Sequence, residues 1–168
     1  MVERLAAQAP RGLTTMLPTE DAAAAPRGLA ERCGLPLWQF CLTATDANRF
    51  AIKLARAATG HRHIVVCDGC YHGSLDETLI DYAPGTTVPA ADAIGMGQDP
   101  SLITRAVPFN DLAAVEAALA PGDVACVLAE PALTNFGMVL PRPGFHDGVR
   151  RLTRAAGTLL VIDETHTI

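Results

Sequence analysis

Four runs of this 168-residue sequence gather the side chains able to grip an anion, stack on a flat ring or hold a buried charge. They are Thr43-Ala44-Thr45-Asp46-Ala47-Asn48, Asp68-Gly69-Cys70-Tyr71-His72-Gly73, Glu130-Pro131 with Asn135, and Asp163-Glu164-Thr165-His166. Each follows a short apolar run. In an open parallel sheet, ligands settle in the crevice beyond the carboxyl ends of the strands, so the four loops are expected to converge there. The hydroxyls and backbone N–H groups of residues 43–46 open a helical pattern, where free donors and the helix dipole favour a phosphate. The same residues also read as an ordinary N-cap by Thr45 or Asp46. Asp163, at the end of an apolar run, is placed to pair with a cationic ring nitrogen or a metal, or else to cap a helix. Tyr71 offers a flat face and His72 a titratable imidazole; either alone also fits a packing role.

A second constellation competes. His61, His63, Cys67, Cys70 and His72 fall within twelve residues and include a C-x-x-C pair, which makes a zinc-binding domain a third and more distant reading. His63 and Cys67 lie in a strand-like run, and no second ligand pair stands at a finger-like spacing. The five cysteines, Cys33, Cys41, Cys67, Cys70 and Cys126, are an odd number without framework spacing. Three of them sit in apolar runs where a free thiol behaves as a small hydrophobe. A reducing cytoplasm suits that usage.

The elements that must position these loops follow from periodicity. Alternation in Trp38-Gln39-Phe40-Cys41-Leu42 predicts a strand over 38–42. Ala47, Phe50, Ala51, Leu54, Ala55 and Ala58 form one helical face, and Gly60 closes that helix. A β-branched strand is expected over 63–67. A helix capped by Asn110 carries Leu112, Val115 and Leu119, and a buried strand follows over 124–129. A helix opened by Pro143 turns Phe145, Val149 and Leu152 inward and ends at Gly157; a last strand spans 158–162. Strands alternating with helices give an α/β fold with a mostly parallel sheet and flanking helices, in which these four strands are neighbours. Residues 84–100, rich in glycine and proline, are expected to form a functional or subunit-contact loop. Residues 1–37 read as an N-terminal arm, because prolines 10, 18, 26 and 36 interrupt any apolar period and leave Thr19 to cap at most a short turn over 20–25.

With 49% hydrophobic and 18% charged residues, the chain has the composition of one folded domain. The net charge of −5 is modest and the basic residues are dispersed, which argues against nucleic-acid and polybasic membrane partners. The apolar runs fall well short of the ~20 residues of a membrane span, and the first ten residues lack the apolar stretch of a secretory signal. Small metabolites are the expected partners.

The order Thr43-Ala44-Thr45-Asp46-Ala47-Asn48, Gly69-Cys70-Tyr71-His72-Gly73, Glu130-Pro131 with Asn135-Phe136-Gly137, Pro141 to Phe145, and Ile162-Asp163-Glu164 resembles that of class III pyridoxal-phosphate (PLP) aminotransferases, the branch around glutamate-1-semialdehyde aminomutase above all. The resemblance spans about residues 13–168. It implies the type I PLP-transferase fold, a homodimer and the transfer or migration of amino groups between amine and carbonyl substrates, with residues 38–168 as the first part of the large domain. It also implies site roles. Backbone groups at Ala44 and Thr45 would hold the cofactor phosphate, Tyr71 would stack on the pyridine, and Asp163 would pair with the ring nitrogen. Glu130 and Asn135 would orient the ring or its 3-hydroxyl, Thr165 would cover the second ring face where the family usually has valine, and His72 and His166 would approach the cofactor.

Two substitutions depart from the family pattern: Ala44 for a glycine and Asp46 for a glutamate. The resemblance further places the Schiff-base lysine and the small domain beyond Ile168, so no catalytic residue is assigned, and the expectation is an incomplete, by itself inactive portion of such an enzyme, assembling with itself or with a complementing chain. The alternative is a non-catalytic PLP-binding or interaction module.

Overall fold

The computed structural model describes residues 1–12 and 17–167, and divides into two compact units, Met1–Phe40 and Cys41–Ile168. The first unit is more regular than an arm. It holds α1 (Val2–Gln8) and α2 (Glu20–Cys33). Thr19 does cap α2, its hydroxyl accepting from the Ala22 N–H, but the helix continues past Pro26 to a left-handed Gly34. The alanines on either side of Pro26 outweigh the one interruption, since proline removes a single intrahelical bond and alanine is the strongest helix former. Residues 38–42 form no strand. The Trp38 indole donates to the Leu35 carbonyl at 2.7 Å and Phe40 stays exposed, so the alternating aromatics lack the pleated, half-buried surface that gives alternation its meaning.

The second unit is a four-stranded parallel sheet in the order β4 (Thr104–Val107), β1 (His63–Cys67), β5 (Val124–Ala129), β6 (Leu159–Ile162). Three of the expected strands are there, and the place beside β1 belongs to β4 rather than to 38–42. The central strand β5 is buried along its whole length, as a strand covered on both faces must be. One face packs Val65, Val127 and Val124 against α4 (Leu112–Leu119) and α5 (Phe145–Ala155). The other packs Ile64, Val66, Cys126 and Leu128 against Ile52 and Ala55 of α3 (Ala44–Thr59). The 84–100 segment is not wholly irregular: Thr86–Pro89 is β3, antiparallel to β2 (Ile80–Ala83), and Thr87 Oγ1 accepts from the Ala106 N–H of β4 at 2.8 Å.

Helix α3 corrects two expectations. Thr43, not Thr45 or Asp46, is its cap: Thr43 Oγ1 accepts from the Asp46 N–H at 3.1 Å and donates to Asp46 Oδ2 at 2.9 Å. Its buried face is Asn48, Ile52 and Ala55, while Phe50 and Leu54 are 48% and 67% exposed. An alanine-rich helix presents more than one apolar stripe, and the sheet takes the stripe whose branched side chain, Ile52, fits its groove. Asp111 rather than Asn110 caps α4. Asn110 instead adopts a left-handed φ of 68° and ties the loop ahead of α5, accepting from the Arg142 N–H and donating to the Leu140 carbonyl.

Candidate functional site

The loops at the carboxyl ends of β1 and β6 meet the first turn of α3 around a small cavity of about 170 Å³ lined by Ala44, Thr45, Tyr71, His72, Gly73, Asp163, Thr165 and His166. Seven of the nine expected site residues therefore share one space. Glu130 stands behind it. Its carboxylate accepts from the Tyr71 N–H at 2.8 Å and from the Thr134 hydroxyl at 2.9 Å, and that hydroxyl pairs in turn with His166 Nδ1 at 2.8 Å. Asn135 lies apart from the small cavity, on an adjoining one of about 570 Å³ that also has Tyr71 and Cys70 in its wall.

The centre of the site is the Asp163 carboxylate, beyond the end of β6. Oδ2 accepts from Asn48 Nδ2 at 2.8 Å and pairs with His72 Nδ1 at 2.9 Å; Oδ1 accepts from the Thr165 N–H and hydroxyl. Burial alone would raise the pKa of this acid, but the bonds from His72, Thr165 and Asn48 hold it well below the ordinary carboxylate range. Burial likewise works against a charged His72, yet the bond to Asp163 and the nearby Cys70 thiol prevail and push it up to about 9. The two residues form a buried ion pair at neutral pH. Asn48 belongs to the run expected at this crevice, but no individual role was expected of it. Its signal is a polar side chain on the same helical face as Ile52 and Ala55, visible only once the correct stripe is chosen.

At the helix end, Ala44 and Thr45 are the first two residues of α3, whose N–H groups precede the intrahelical ladder. Ala44 is not among the residues with positive φ, so at this position an alanine in place of the family's glycine strains nothing. Close approach is instead reserved for Gly73. Its φ is +84°, and a Cβ there would stand 2.0 Å from Thr45 Oγ1, the atom that accepts from the Ser74 N–H at 3.2 Å. Gly73→Ala is expected to cost about 1–3 kcal/mol, combining left-handed strain with a displaced Thr45. Urea unfolding would show it as a lowered midpoint at unchanged slope.

The histidines of the zinc reading are committed to separate partners. His61 Nδ1 meets the Val124 carbonyl at 3.1 Å, His63 Nδ1 lies 3.0 Å from Asp123 Oδ2, and His72 is committed to Asp163. Among the described residues, no three His, Cys, Asp or Glu side chains converge as metal ligands would. No helix among them is long and apolar enough to cross a membrane.

Such a sheet, with an acid beyond its last strand, an aromatic after its first and a free helix end between them, has the design of an aminotransferase large domain, and the chain belongs to the class-III aminotransferase family, whose model matches residues 2–167. Among the individual proteins it is similar to is the glutamate-1-semialdehyde 2,1-aminomutase of Roseiflexus castenholzii, at 37% identity over 99% of this chain and 39% of that protein. The crystal structure of a glutamate-1-semialdehyde aminomutase from Pseudomonas aeruginosa superposes with a TM-score of 0.92 at 51% identity, covering 99% of this chain and 37% of that one. A lysine-to-alanine variant of that enzyme was crystallised in complex with PMP. An omega-transaminase from Sphaerobacter thermophilus gives a TM-score of 0.87 at 31% identity, with 99% and 40% covered. The chain thus spans well under half the length of these relatives.

Proposed function

We propose that the 41–167 unit is the part of a PLP-dependent aminotransferase or aminomutase that receives the cofactor's phosphate and pyridine ring, acting on small amine and carbonyl substrates. The observation that carries this reading is the single cavity shared by the α3 amides, Tyr71 and the Asp163 carboxylate. The donor set fits the cofactor: amides without intrahelical partners for a phosphate, an exposed aromatic face, and an acid that stays ionised. When bound, PLP supplies an electron sink for the carbon that loses its proton.

The protein's share is binding and orientation. Ala44 and Thr45 N–H groups hold the phosphate end, with Gly73 leaving room. Tyr71, its backbone fixed by Glu130, would stack on the ring. Asp163 would pair with the ring nitrogen and favour its protonated form, because His72, Thr165 and Asn48 hold the acid in its charged form. Thr165 would cover the opposite ring face, His166 is steadied by Thr134, and Asn135 would orient the ring or its 3-hydroxyl from the adjoining larger cavity.

The exposed Phe50 and Leu54, and the free outer edge of β6, where Leu159 is 44% exposed, support association with a second copy or with a complementing chain. The five unpaired thiols suit the cytoplasm.

Titration of the purified chain with PLP and with pyridoxal tests the reading. PLP is expected to bind saturably with a shifted absorbance, and pyridoxal roughly tenfold or more weakly, since charge-assisted bonds to a phosphate are worth about 1.5–3 kcal/mol. Equal binding of the two would overturn the phosphate assignment.

A further inference from the structure

The end of β1 carries a feature that the cofactor reading leaves unused. The chain leaves the strand at Cys67 and turns through Asp68 and Gly69, and the Cys70 N–H returns to the Cys67 carbonyl at 3.1 Å. Gly69 takes φ +81° to close this turn, and Asp68 pins it to the neighbouring hairpin by accepting from the Tyr82 N–H at 2.8 Å. A turn of this kind holds its first and fourth Cα atoms within about 7 Å, which is also the upper limit of the separation a disulfide spans. Both thiols are free, and Cys70 packs against the buried cluster that contains Cys67. Cys67 is buried at 2% exposure, whereas Cys70 is partly open and forms part of the wall of the larger cavity. Behind Cys70 stands the His72–Asp163 ion pair, and the buried His72 Nε2 has no hydrogen-bond partner.

We propose that Cys70 and Cys67 form a thiol–disulfide exchange site for small-molecule disulfides, with Cys70 the attacking thiol and Cys67 the resolving one. The Cys67 bond and the His72 imidazole lower the Cys70 pKa to about 6 against the effect of burial, so its thiolate prevails at neutral pH. The Cys67 thiol is pushed up by its bond to Cys70 and by burial, and stays protonated until needed.

The balance is simple. Cys70 sulfur attacks one sulfur of RSSR; that S–S bond breaks, one RS⁻ leaves, and Cys70 carries a mixed disulfide. Cys67 sulfur then attacks Cys70 sulfur and its proton passes to the second departing RS⁻. Two protein thiols are oxidised to one disulfide, and RSSR is reduced to two thiols. Neither sulfur ligates the cofactor in the proposed site, so the inference stands independently of that function. Its consequence falls on that site because Tyr71 is the next residue and Cys70 is the thiol facing His72.

The test uses the 168-residue chain and oxidised glutathione without denaturant, with peptide mass mapping after acid quenching. The expected product is a Cys67–Cys70 disulfide reversed by dithiothreitol. Cys67→Ser should instead accumulate glutathione on Cys70, and Cys70→Ser should leave Cys67 unmodified. At about pH 6, iodoacetamide should label Cys70 roughly tenfold faster than the exposed Cys33, an advantage in thiolate fraction reduced by lower nucleophilicity. Glutathione confined to Cys33 and Cys41, or a Cys70 adduct that persists in the parent chain without engaging Cys67, would overturn the proposal. Should either serine variant lose its circular-dichroism signature, the mapping and labelling rates of the parent chain decide alone.

Discussion

Asp163→Ala is expected to lower the free energy of unfolding by about 3–5 kcal/mol at neutral pH, the range for removing one partner of a buried ion pair. The lower end is favoured because His72 can shed its proton once its partner is gone, and because Cys70 remains beside it. The loss includes more than one Coulomb pair: Asn48 Nδ2 keeps only the His72 carbonyl at 3.3 Å, and the Thr165 N–H and hydroxyl lose their acceptor. Repeating the measurement across pH separates the ion pair from these neutral bonds. His72 has its pKa raised from 6.5 to about 9 by folding, so its contribution is complete below about 6.5 and fades as pH rises through 9. Asp163 is shifted the other way, so its contribution is present above the ordinary carboxylate range and lost only as pH falls beneath it. The gap between parent and Asp163→Ala should be wide near pH 6 and narrow by pH 10. A gap that does not change with pH would mean the pair is not ionised. The same variant should also lose PLP affinity by roughly tenfold or more if the acid faces the ring nitrogen as proposed, since a charge-assisted bond is worth about 1.5–3 kcal/mol.

How much of this site could be read in advance depended on the range of the interactions. β5 was legible to the residue because a fully buried parallel strand announces itself as an uninterrupted apolar run, Val124–Ala129. Gly60 and Thr19 were legible because capping is decided within a few residues. The 38–42 segment misled, since alternation reports only that a strand would have two unlike faces, not that a sheet edge is vacant. The edge beside β1 went to Thr104–Val107, whose Thr-Arg-Ala-Val carries a weak strand signal and is stabilised largely by pairing with β1 and by Thr87. The loops after β1 and β6 converged because their position after strands fixes where they end, whereas Ala44 and Thr45 reach the same cavity as the first turn of α3, with no strand directly before them. The role of Asn48 within its run was not legible because choosing between two apolar stripes on α3 requires knowledge of which one the sheet covers, and its bond joins residues 48 and 163 across most of the chain.

The sharpest functional expectation is that the 168-residue chain by itself transfers no amino group. Amino transfer on PLP requires a lysine amine at bonding distance from the cofactor's reactive carbon, both to hold it and to move the substrate proton. The sequence contains one lysine, Lys53. It is exposed on α3, about two turns beyond Thr45 and so roughly 12 Å further along the helix axis at 1.5 Å per residue. Its neighbour Ile52 is 1% exposed and packs with Ala55 against Ile64 and Val66. Rotating the helix to bring Lys53 inward would expose Ile52, at about 1.5–3 kcal/mol for that side chain alone, and would pull Asn48 away from Asp163. Cofactor binding and amine chemistry would therefore separate in this chain: the groups proposed to grip PLP line one cavity, and the only lysine is on the outside. Incubation with PLP, borohydride reduction and peptide mass mapping should find no preferential labelling of Lys53, and Lys53→Ala should bind PLP as the parent does. Stoichiometric labelling of Lys53 together with amino transfer abolished by Lys53→Ala would show that α3 turns after all, at the expense of Ile52 and the Asn48–Asp163 bond.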